Sequence, residues 1–212
     1  MTIKMFNRIL TLLILVSVLS GCFGFGSKDE EDTTAHYYVI DADRGSVATT
    51  FAKDRVLLLK PVRVTSHFSG KTLIYRVGEN EYRPQAPHQF FSDPSEMMKE
   101  QLRRWLEKSG LFSQVVVDES VPADMVLETA VTALYGEQRE QFAPQSVLEM
   151  QFFLMAKDEN NTKPLFQTGL RVAVDIPQTS PVEVVKGWKQ GVEELLSTVE
   201  DDFSGYFSKL NP

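Results

Sequence analysis

The 212-residue chain contains one cysteine, Cys22, and three histidines. A single thiol cannot close an intramolecular disulfide, form a CxxC redox pair or build a thiolate-rich zinc site. A basic stripe is also missing. Lys and Arg number 22 against 29 Asp and Glu, a formal charge of −7, whereas a nucleic-acid surface needs clustered cations to neutralise phosphates. Phosphate loops, GxGxxG turns, GxSxG elbows and HExxH helices do not occur. The segment Ser69-Gly70-Lys71-Thr72 ends like a phosphate loop, but the earlier glycine is absent and no helix pattern follows, so it reads as a turn. His36, His67 and His88 fall in a tether, a loop and a strand end, with no second ligand at metal spacing, and are expected to be solvated imidazoles. No cofactor and no catalytic constellation is implied. What remains is ordinary globular material, 42% hydrophobic and 24% charged, enough for one large domain or two small ones.

The N-terminus is the most informative stretch. Lys4 and Arg8 precede an apolar run over residues 9–19 that is too short to cross a hydrocarbon core of about 30 Å. Leu19-Ser20-Gly21-Cys22 then sets small residues before a thiol. This resembles the bacterial lipobox, in which cleavage precedes the cysteine and its sulfur carries a diacylglycerol. Residues 1–21 are therefore expected to be a signal peptide and Cys22 the lipid-attachment site. Phe23 rather than aspartate follows, which by resemblance to other lipoproteins points to the outer membrane, facing the periplasm. Residues 22–36 include two glycines and the acidic run Asp29-Glu30-Glu31-Asp32. They read as a tether with a root-mean-square reach of about 20 Å.

Residues 37–212 read as a single α+β domain. Strands are expected over 37–42, 55–65, 71–77, 82–88, 111–117, 125–135, 146–157 and 165–176. Pro61 cannot donate to a sheet ladder, so it implies an edge, a bulge or a break between two short strands. Gly78-Glu79-Asn80-Glu81 and Asp158-Glu159-Asn160-Asn161 look like hairpin turns. Two segments switch to helical spacing. Asp93-Pro94-Ser95-Glu96 opens one with a capping-box pattern, and Gly110 closes it. Met98, Leu102, Trp105 and Leu106 form its apolar side. Ser180-Pro181-Val182-Glu183 opens the other, whose stripe of Val185, Trp188, Val192, Leu195, Leu196, Val199 and Phe203 calls for a sheet to cover it. With no βαβα alternation, the expected architecture is a mixed, largely antiparallel sheet with both amphipathic helices packed on one face.

Several short motifs recur in a family order: Tyr37-Tyr38-Val39-Ile40 soon after the lipobox, then Pro61-Val62-Arg63-Val64, Leu73-Ile74-Tyr75-Arg76 and Tyr82, then Phe90-Phe91 before Pro94. The helix leads into Ser109-Gly110-Leu111-Phe112 and Val115-Val116. The chain resembles the ABC-type transport auxiliary lipoproteins, the PqiC-like family, although Phe90-Phe91 stands where the family pattern places a tryptophan. The resemblance implies an accessory role without catalysis beside an ABC permease, an ATPase and an MCE-domain protein. Such systems move phospholipid or other apolar molecules between membranes. It also allows a homo-oligomer. A lipoprotein that assists assembly of another envelope machine, for lipopolysaccharide export or cell-wall synthesis, is the alternative. For a partner surface the sequence offers Ile74-Tyr75-Arg76 and residues 82–88, because Tyr and Arg are enriched at interfaces. Tyr75 as a half-buried strand aromatic beside a solvated Arg76 is the competing reading.

Overall fold

A computed structural model describes residues 34–49, 52, 54–157 and 163–210. The expected signal peptide, Cys22, the acidic run and the turn at 158–161 lie outside the described residues. The chain divides into the units Met1–Thr34 and Ala35–Pro212, and the second contains the α+β fold. Its strands are β1 (His36–Tyr38), β2 (Val56–Leu59), β3 (Arg63–Val64), β4 (Thr72–Arg76), β5 (Tyr82–Phe90), β6 (Gln114–Val116), β7 (Met125–Glu137), β8 (Gln145–Ala156) and β9 (Phe166–Asp175). Its helices are α1 (Pro94–Ser109) and α2 (Pro181–Leu210), with a short 3-10 turn at Ser66–Phe68.

β7 is the spine of the sheet. One edge pairs with β8 along the whole strand, from Met125 opposite Ala156 to Glu137 opposite Gln145, and β9 extends the ribbon antiparallel. The other edge is shared in succession by β2, β3 and β4, all parallel to β7. β4 and β5 form an antiparallel hairpin, closed by the Val77 and Gly78 N–H groups donating to Glu81 O. Most paired length is thus antiparallel, while the short early strands reach β7 in parallel. Pro61 marks a break, as one of the sequence readings expects: β2 stops before it, β3 starts after it, and Lys60 N–H still donates to Leu127 O.

Two strands are shorter than their β-rich sequences suggest. β1 covers only His36–Tyr38, although the strand pattern runs to residue 42. Its partner β5 ends at Phe90, and Phe91 N–H donates to Tyr38 O. Beyond that point no strand is left to pair with. The Ile40 and Ala42 N–H groups turn to α1 instead, donating to Met97 Sδ at 3.4 Å and Gln101 Oε1 at 2.9 Å. β6 is likewise limited to Gln114–Val116, the part that faces β2.

Helix signals are local, and the helices follow them closely. Asp93 is extended and Pro94 occupies the first turn of α1, while Gly110 takes a left-handed φ of 77° as its C-cap. The Asp93 side chain makes no capping hydrogen bond. Ser95 Oγ instead donates to Val62 O at 2.5 Å, tying the first turn of α1 to the segment between β2 and β3. α2 lies over β8 and β9 and also meets α1. Trp188 is fully buried there and its indole N–H donates to Val147 O at 3.1 Å. Gly187 permits the closest approach: a β-carbon at that position would sit 2.3 Å from Ser146 Oγ.

Candidate functional site

Strand alternation settles which face of the sheet each residue takes. Ser146 Oγ donates to Val184 O on α2, so Ser146 faces the helices and Val147 and Glu149 point the other way. Glu149 lies opposite Arg171 on β9, and Tyr135 lies opposite Val147 on β7. Tyr135, Glu149 and Arg171 therefore share the face turned away from α2. The β4–β5 hairpin delivers two more members to this region, because Arg76 is paired with Tyr82 in one direction and with Glu137 in the other.

The result is an aromatic cluster ringed by guanidinium groups. Tyr82 meets Phe68 and Tyr135 edge-on, each at 5.7 Å between ring centroids, and Phe68 stacks on Tyr135 at 6.1 Å. His67 lies against Phe68 at 4.3 Å and reaches Tyr82 at 5.9 Å. Arg76 sits over both tyrosine rings, at 5.7 Å and 5.8 Å, and Arg171 over Tyr135 at 5.9 Å. The Tyr135 hydroxyl accepts from Arg171 Nη2 at 2.8 Å and from Arg76 Nη1 at 3.4 Å. Such contacts combine ring-face attraction for cations with charge-assisted hydrogen bonding.

Each of two arginines is matched by a carboxylate. Glu149 accepts from Thr132 Oγ1 at 2.8 Å and from Arg171 Nη1 at 3.0 Å. The Thr132 hydrogen bond, with Arg171 beside it, lowers the Glu149 carboxyl below its ordinary value. Glu137 is only 3% exposed. Burial alone would raise its pKa, but the Arg139 fork, donating at 2.8 Å and 2.6 Å, outweighs that and leaves it lowered. Arg139 in turn covers the half-exposed Phe142 ring at 4.0 Å. Arg76 differs from both. Its Nη2 donates to the Glu79 carbonyl at 2.6 Å, and its buried Nε has no hydrogen-bond partner among the described residues. The solvent-facing border of the cluster consists of His67, Tyr82 and Phe142.

The structure divides the expected partner strand. Arg76 and Tyr82 join the cluster, but Tyr75 is 1% exposed and belongs to the core, so it is neither a surface residue nor half-buried. Its alternate position on β4 points it at Gly136, where an added β-carbon would lie 3.2 Å from the ring. Residue 88 falls at the opposite end of β5. There His36 and His88 stack at 4.8 Å, and the Tyr38 hydroxyl lies 2.9 Å from His88 Nδ1. The parallel register of β1 with β5 creates this pair, correcting the expectation of separate solvated imidazoles. No grouping of His, Cys, Asp or Glu suited to a metal ion exists among the described residues. Sequence reading missed Tyr135, Glu149 and Arg171. The one available hint was the placement of Arg171 and Glu149 in polar slots of otherwise apolar alternation.

The α+β fold thus carries two edge-on tyrosines bordered by arginines. Its architecture is shared with protein XCC0632 from Xanthomonas campestris, with a TM-score of 0.68 at 13% identity over 78% of this chain and 93% of that one. An uncharacterised protein of known structure superposes with a TM-score of 0.63 at 16% identity, over 80% of this chain and 98% of the other. At such identities the likeness concerns the fold alone. No curated protein matches the sequence. The family model for the ABC-type transport auxiliary lipoprotein component matches residues 38–200, and the chain belongs to that family. Among the described residues no helix is long and apolar enough to cross a membrane.

Proposed function

We propose that this auxiliary lipoprotein is held in the outer membrane through an acylated Cys22, facing the periplasm, and acts as a docking subunit without catalysis. Its system would be of the ABC/MCE type, moving phospholipid or other apolar molecules between membranes. Membership of the transport-auxiliary family over residues 38–200 carries the proposal. The physical need is plain, since each exposed CH₂ of a lipid in the aqueous periplasm costs about 0.8 kcal/mol. A covered conduit requires fixed parts at its ends, and an exposed Tyr/Arg surface on a rigid sheet suits such a part. The partner is placed on the His67, Tyr82 and Phe142 border, above Arg76.

The test is binding between the full-length protein and the MCE-domain protein encoded in the same genome. Truncating Tyr82 or Arg76 to Ala is expected to weaken the complex about 10- to 30-fold each, the range of an interface anchor worth about 1.4–2 kcal/mol. Retained affinity in the Tyr82→Ala/Arg76→Ala double variant would move the docking surface elsewhere. Co-purification of a β-barrel or a cell-wall synthase, with no ABC or MCE component, would replace the reading by the alternative of an assembly factor.

A further inference from the structure

The end of the sheet where the chain enters the fold carries a second apolar surface. In the β1–β5 pair Tyr37 lies opposite Gln89 and Tyr38 opposite Phe90, and Phe91 N–H donates to Tyr38 O just past the paired stretch. Tyr38 and Phe90 turn inward, leaving Tyr37, Val39 and Phe91 on the outer side, 57%, 56% and 67% exposed. The Tyr37 and Phe91 rings meet edge-on at 5.9 Å. Lys71 Nζ donates to the Phe91 carbonyl at 3.3 Å, so a cation borders the patch. Two exposed rings, a branched aliphatic side chain and one lysine are the mixture favoured at a headgroup boundary, where ring bodies are apolar and the phenol and ammonium stay wet.

Position selects the occupant. His36 opens β1 only 14 residues after Cys22. A chain of that length spans about 50 Å at most. If Cys22 is acylated, as the proposed function supposes, β1 is the first element of the fold to meet the bilayer. We infer that Tyr37, Val39 and Phe91 rest in the headgroup region of that membrane. The acyl chains supply the attachment, and the patch sets the orientation. Tyr82 begins β5 and Phe91 immediately follows it, so the lipid contact and the docking surface sit at opposite ends of one strand about 25–30 Å long. The domain would thus present its Tyr82 end to the periplasm. Because the acidic run Asp29–Asp32 repels anionic lipids, the contact is expected to depend on apolar insertion and to withstand salt.

The experiment uses the full-length protein reconstituted in vesicles of phosphatidylethanolamine and phosphatidylcholine carrying doxyl lipids. A fluorophore is attached at Gln89→Cys, between the patch residues, or at Glu79→Cys in the hairpin at the far end of β5. Vesicle flotation and the mass of the N-terminal peptide are read first. In acylated, floating protein, the label at 89 should be quenched at least about twofold more than the label at 79, reflecting a depth of about 5–10 Å. Adding Tyr37→Ser and Phe91→Ser should bring it to the level of 79, with flotation and the urea midpoint retained. Equal quenching at the two positions in floating protein overturns the inference alone. Protection of the label at 89 from aqueous iodide without lipid overturns it in favour of a second copy or a protein partner. Absence of both acylation and flotation removes the Cys22 reading, and this inference falls with it.

Discussion

Tyr75 and Tyr135 are both buried, at 1% and 2% exposure, but their hydroxyls have opposite surroundings. The Tyr135 oxygen receives two guanidinium donors, whereas the Tyr75 hydroxyl is buried without a hydrogen-bond partner among the described residues. A buried polar group left unmatched costs on the order of 1–3 kcal/mol. Replacing Tyr75 by Phe is therefore expected to raise stability by about 1 kcal/mol, while Tyr135→Phe lowers it by about 1–2 kcal/mol, both read as shifts in the urea midpoint. Acid dependence follows from Glu149. Thr132 and Arg171 hold its carboxyl below the usual range, so the ionised form is favoured by folding. That contribution is complete above the unfolded value of about 4.3 and is lost as pH falls through the lower folded value. Between about pH 5 and pH 3, Glu149→Gln should show a shallower loss of stability than the parent protein, measured as urea midpoint against pH.

At the scale of elements, the helix α2 shows how position decides the sign of one substitution. Alanine favours a helix interior over glycine by about 1 kcal/mol. At Gly205 a β-carbon would meet open space, so Gly205→Ala should stabilise by about 0.5–1 kcal/mol. At Gly187 the same atom would fall 2.3 Å from Ser146 Oγ, 2.6 Å from Ser146 Cβ and 2.9 Å from Ile176 Cγ2. Relieving that overlap requires α2 to lift from β8, and Gly187→Ala should destabilise by about 1–3 kcal/mol despite the better helix former. Thermal or urea unfolding of the two variants side by side distinguishes propensity from packing. The start of α1 shows the same dominance of context, since the Asp93 side chain makes no capping hydrogen bond while Ser95 Oγ ties the first turn to Val62 O.

At the scale of the whole molecule, the apolar core formed by the described residues runs from Ile40 to Phe207. The proposed anchoring at Cys22 and the folding of this core are separately testable. Cys22→Ser should shift the protein from the membrane to the soluble fraction while leaving the urea midpoint of the folded unit within about 0.5 kcal/mol of the parent. Coincident loss of both would show that attachment also supports the fold. The proposed docking at the Tyr82 end and the inferred membrane contact at the Phe91 end are then two independent measurements.

Sequence alone determined the helices, the β4–β5 hairpin and the α+β class, while at Pro61 it left an edge, a bulge or a break, of which the structure took the break. The signals for these operate across two to four residues, as with Pro94 at a first turn, Gly110 at a left-handed cap and the 3.6-residue stripe of α2. Tertiary structure alone decided which edge of β7 each short strand occupies, where β1 stops, and that Tyr75 packs toward α2 while the equally buried Tyr135 takes the other face beside Arg76 and Arg171. Period-two alternation assigns a residue to a face but names no neighbour. The contacts that make the cluster join Tyr135 to Arg76 across 59 residues and to Arg171 across 36. Such pairs exist only after chain entropy has been spent on a particular strand order, and no local pattern in the sequence records that order.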